Sequence, residues 1–135
     1  MIEERKEAKP GIGRTIDLSF AAAIERVGEA LHKEGFGVLC RIDVQATMKE
    51  KLGVDVAPWV ILGACNPHLA YRALTLEPDV ALMLPCNVVV RDLGGDRVRI
   101  DAVNALSMMN QFPRRDLVPV ATEVNERLAR VVNSL

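Results

Sequence analysis

Two hydrophobic periods alternate along this chain, and the switches between them mark out its elements. Phe20, Ile24, Val27 and Leu31 recur at spacings of four, three and four, which is one face of a helix. Ser19 stands where an N-cap belongs, and Gly35 suits a left-handed C-cap. The period then changes to two. Phe36, Val38, Cys40, Ile42 and Val44 alternate with Gly37, Leu39, Arg41 and Asp43, predicting a strand with Cys40 on its buried side. Ala46–Leu52 reads as a short helix ended by Gly53. Trp59–Ala64 is continuously apolar, as expected of a strand buried on both faces. Asn66-Pro67 opens a helix reaching about Thr75, with Asn at the cap and Pro at the first position. Glu77-Pro78-Asp79 reads as a turn. Leu84–Asp92 and Arg97–Ala102 are strands joined by the turn Leu93-Gly94-Gly95-Asp96, and Pro85 marks the start, an edge or a bulge of the first. Val103–Arg115 is irregular. Asp116 is placed to cap a last helix whose stripe is Ala121, Val124, Leu128, Val131 and Leu135, and Arg14–Leu18 supplies a short first strand. Without the short helices the order is strand, long helix, four strands, long helix. That is an α+β fold, an antiparallel sheet with both long helices on one face.

Composition narrows the classes. The 135 residues suit one domain, divided here into a charged extension over 1–13 and a single α+β domain over 14–135. A hydrophobic share of 50% with 26% charged residues excludes a disordered or fibrous chain. Lys+Arg (17) nearly balance Asp+Glu (18), so the basic surplus of a nucleic-acid binder is missing. The longest apolar stretches fall far short of the roughly 20 residues that span a bilayer, so no membrane partner is expected. Met1–Lys9 is charged and lacks the apolar core of a secretory signal. Three cysteines, an odd number without an export signal, point to reduced thiols and a cytoplasmic location.

Several segments look familiar together. Glu34-Gly35-Phe36-Gly37-Val38-Leu39 is followed by Lys51-Leu52-Gly53-Val54-Asp55, then by Gly63-Ala64-Cys65-Asn66-Pro67-His68-Leu69-Ala70 and Leu84-Pro85-Cys86-Asn87-Val88-Val89-Val90. The chain from about Thr15 to Leu135 resembles the bacterial and archaeal domain of unknown function 302 family. Its specific part is the pair Cys-Asn-Pro and Leu-Pro-Cys-Asn. The resemblance implies a TATA-box-binding-protein-like α+β fold and homodimers. It supplies no activity and no catalytic residues.

The candidate site follows from position. Cys65 precedes a helix start, where free N–H groups and the macrodipole favour a thiolate, so it is expected to be the most acidic thiol. Cys86 starts a strand beside Pro85. If these two strands are antiparallel neighbours, both cysteines fall at one end of the sheet, unbridged, with Asn66 and Asn87 beside them. Cys65, Asn66, His68, Cys86 and Asn87 are therefore the candidate ligand or thiol site. Cys65-x-x-His68 with Cys86 also offers three ligands to a soft metal, although structural zinc takes four. No Cys-x-x-Cys, phosphate loop or nucleophile-elbow motif is present: Gly11-Ile12-Gly13-Arg14 lacks the third glycine and precedes a strand. Asp43, Asp55 and Asp101 read as turn or strand-edge charges. Met108-Met109 with Phe112 either line an apolar pocket or close the core. No complete catalytic motif emerges, and any cofactor stays unassigned. Two classes remain, a dimeric small-ligand or partner-binding domain and a thiol-dependent redox or sulfur-handling protein using Cys65 or Cys86. Consecutive apolar residues in Trp59–Ala64 and Val88–Val90 leave one sheet face needing cover, either from a second copy or from the short helices.

Overall fold

The computed structural model describes residues 9–135. The expectation for the charged stretch ahead of Lys9 lies outside the described residues. Five antiparallel strands form one open sheet: β1 (Gly11–Asp17), β2 (Gly37–Asp43), β3 (Trp59–Cys65), β4 (Cys86–Asp92) and β5 (Arg97–Val103), in spatial order β1-β5-β4-β3-β2. The helices are α1 (Phe20–Lys33), α2 (Val44–Leu52), α3 (Pro67–Leu76), α4 (Ala105–Met109) and α5 (Val118–Asn133). Both long helices, α1 and α5, pack against one another and against the same side of the sheet, as the α+β reading requires. No helix among the described residues is long and apolar enough to cross a membrane.

One sheet face makes the core. Val60, Leu62 and Ala64 of β3, Val88 and Val90 of β4, and Val98, Ile100 and Ala102 of β5 are all buried there. They meet Ala23, Val27 and Leu31 of α1 and Val124, Leu128 and Val131 of α5. The local signals near α1 hold. The Ser19 side chain accepts from Ala22 N at 3.2 Å, and Gly35 takes φ 85°. Arg14, on the core side of β1, donates to the Val132 and Asn133 carbonyls at the C-terminus of α5, where a cation offsets the helix dipole.

Four elements differ from the sequence pattern. First, β1 begins at Gly11. Gly13 belongs within it, because a Cβ there would fall on the Asp101 carboxylate and 2.6 Å from the Ile100 carbonyl. Second, β2 stops at Asp43, whose side chain accepts from Ala46 N at 2.9 Å and so starts α2 at Val44. Third, Asp116 does not cap the last helix. It lies in a 3₁₀ turn (Arg115–Leu117) and pairs with Arg114 at 2.7 Å, while α5 starts without a side-chain cap. Arg114 holds its carboxyl below the usual range. Fourth, the irregular stretch contains α4, capped by Asn104, whose side chain accepts from Ser107 N.

Cys40 is a correction of a different kind. It is exposed, not buried. The register of β2 on β3 slips between Val38 and Cys40, so Leu39 is bulged and the alternation no longer keeps Val38 and Cys40 on one face. Cys40 lands opposite Gly63, on the face away from the helices, in a strand at the sheet edge with all seven residues exposed. That opposite face mixes Trp59, Ile61 and Val89 with Arg91, Arg99 and Asp101. The Arg91 guanidinium lies 5.7 Å from the Trp59 ring centre.

Candidate functional site

The end of β3 and the start of β4 lie side by side, with Ala64 opposite Cys86. Cys65 and Cys86 therefore come to one end of the sheet as free thiols. Asn66 joins them and is buried. Its Oδ1 accepts from Leu69 N at 3.2 Å, and its Nδ2 donates to the Glu34 carbonyl at 3.4 Å. The same carbonyl receives the Arg127 guanidinium at 3.1 Å. One amide thus ties the start of α3 to the turn between α1 and β2. Each end makes one hydrogen bond of the two it can form.

These three residues line a cavity between the sheet and the helix layer. Its walls are Phe36, Ala64 and Cys86 from the sheet side, Leu69, Ala70 and Ala73 from α3, Val80 and Leu84 from the following turn, and Ala105, Met109, Leu117, Val120, Ala121 and Val124 from the last third of the chain. The space open to the centres of water-sized atoms is ≈ 40 Å³. That is a few times the roughly 10–15 Å³ that one water needs on the same measure. Five alanines create the room: a larger side chain at Ala64, Ala70, Ala73, Ala105 or Ala121 would enter it. Cys65, Ala70, Leu84, Cys86 and Met109 are only half-buried and form its mouth.

The chemistry of the lining is narrow. Burial, reinforced by nearby Cys65, pushes the Cys86 thiol up to about 11, so it stays protonated at neutral pH. A protonated thiol is a weak nucleophile and a poor metal ligand. No charged side chain is among the lining residues. Met109 lines the cavity, as one reading of Met108-Met109 allowed, while Phe112 packs on the core beside it.

Two predicted site residues lie elsewhere. His68 is exposed on the first turn of α3 and is not part of the lining. Asn87 is exposed and pairs with Gly63 on the opposite face, because neighbours in a strand point to opposite sides. Among the described residues no three His, Cys, Asp or Glu side chains converge to hold a metal, so Cys65, His68 and Cys86 do not form the three-ligand set. The acids are structural. Asp43 caps α2, Asp55 pairs with Lys49 at 3.0 Å, and Asp101 receives Arg99 through two bonds of 3.0 and 2.9 Å. Sequence reasoning missed most of the lining, including Phe36, Leu69, Val80, Leu117 and Val120.

Comparison with known proteins bears on the whole domain. None of the curated proteins compared with the chain matches it. A solved structure described as that of an uncharacterized conserved protein DUF302 from Bacillus stearothermophilus superposes with a TM-score of 0.80 at 33% identity, over 90% of this chain and 95% of that one. The model of the family described as "Domain of unknown function DUF302" matches residues 12–135. The chain belongs to the DUF302 family.

Proposed function

We propose that this chain is a homodimeric, non-enzymatic domain that binds a small, neutral, apolar ligand in the cavity between β3, β4, α3 and α5. The observation that carries the reading is the lining itself. Apart from the Asn66 amide it offers hydrocarbon and sulfur, and no charged side chain is among the lining residues. A charged molecule there would find no counter-charge and a polar one only the Asn66 amide, so either costs several kcal/mol, on the order of 2–7 for an unpaired neutral polar group. Apolar contact is the only sizeable driving force available, at roughly 25 cal/mol per Å² removed from water. The protonated Cys86 weighs against the thiol-dependent alternative at that residue. The three free cysteines fit a reducing compartment such as the cytoplasm.

The test is a titration followed by the methyl signal of Met109 in methionine-labelled protein. Benzene is expected to bind saturably and shift that signal, while butyrate and butylamine are expected to leave it unmoved. Equal response to the charged probes, or no saturable response to benzene, overturns the reading.

A further inference from the structure

From Gly37 to Trp59 the chain runs for 23 residues without one buried residue. The stretch comprises β2, α2 and the loop into β3. It is not polar. It contains Val38, Leu39, Ile42, Val44, Met48, Leu52, Val54 and Val56, and Leu39 and Leu52 are 68% and 69% exposed. A nine-residue helix with no buried face does not stabilise itself, since helices shorter than about 12–15 residues are marginal without tertiary packing. β2 is also an edge strand, with one side of its backbone unpaired among the described residues.

We infer that this arm is the surface on which a second copy of the chain docks, with the two β2 edges paired antiparallel into one ten-stranded sheet. The inference rests on the homodimer reading and assigns its surface. Size agrees, because a stable interface takes about 20–30 residues a side. Charge agrees as well. Arg41, Lys49 and Lys51 balance Asp43, Glu50 and Asp55, so the arm has no net charge and is complementary to itself rather than to an acidic or basic partner.

Light scattering on the full chain measures the surface. The wild type is expected at twice 14.8 kDa, and Ile42→Asp and Leu52→Asp at the single-chain mass, with dimer dissociation constants raised about tenfold or more. Ile42 is 47% and Leu52 69% exposed in one chain, so far-UV circular dichroism should be unchanged. A wild type that stays monomeric overturns the homodimer reading and this inference together. A dimer that survives both aspartate variants overturns only the surface.

Discussion

Removing the Asn66 amide perturbs the site most directly, because that one side chain joins two elements. In Asn66→Ala, α3 loses its N-cap, worth about 1 kcal/mol. The Leu69 N–H loses its acceptor in a buried position, which brings the cost of an unsatisfied donor toward 1–3 kcal/mol for the two overlapping effects. The bond to the Glu34 carbonyl adds less, about 0.5 kcal/mol, because it is long and Arg127 still satisfies that oxygen. The total comes to about 2 kcal/mol. With an unfolding entropy of about 2.1 cal/mol/K per residue over 135 residues, that lowers Tm by about 7 °C. Asn66→Asp keeps the acceptor but sets a buried carboxylate oxygen against the Glu34 carbonyl, so it should lose stability as well. Calorimetry and urea unfolding of the three proteins decide the matter. An alanine variant within about 0.5 kcal/mol of wild type, or an aspartate variant as stable as wild type, would refute the two-ended role.

Other outcomes follow from single positions. Cys86 carries its proton to about 11 in the folded chain and to the ordinary 9.0 when unfolded, so the folded state loses stability as pH rises from 9 to 11. The loss is about 2–3 kcal/mol by linkage, and urea midpoints against pH should show that part of the decline vanish in Cys86→Ala. Gly35→Ala should cost about 1–3 kcal/mol, because φ is 85° and the new Cβ would stand 2.9 Å from the Asn66 amide nitrogen; a neutral result in urea unfolding would contradict the turn geometry. Leu128→Ala, at a fully buried position on α5, should cost about 2–5 kcal/mol by the same assay. A cost under about 1 kcal/mol would mean that α5 does not pack on the sheet.

How much of this was legible depended on the range of the forces involved. Ser19, Gly35 and Asn66 were readable because each cap acts over three residues of sequence. The strand order of Cys65 and Cys86 was readable from the single assumption that β3 and β4 are neighbours. The exposure of Cys40 was not, because it depends on a bulge at Leu39 fixed by the pairing of β2 with β3, not by β2 alone. Asp116 looked like a cap until Arg114 competed for it, two residues away. Asn87 could have been placed correctly, since strand alternation alone opposes it to Cys86. The cavity was out of reach. Ala70 and Ala73 read as part of an apolar stripe, and only the approach of Ala64, Ala105 and Ala121 from other elements turns those small residues into empty volume.

The central claim is that this volume is a binding site for an apolar molecule. Ala70→Leu is the variant that tests it. Ala70 is half-buried at the mouth of the cavity, and leucine favours a helix nearly as well as alanine, so the fold should be retained while the side chain fills the entrance. Isothermal titration with benzene should give saturable one-to-one binding per chain for the wild type and none for Ala70→Leu at equal stability. Identical binding by the two proteins would place the ligand elsewhere and contradict the account.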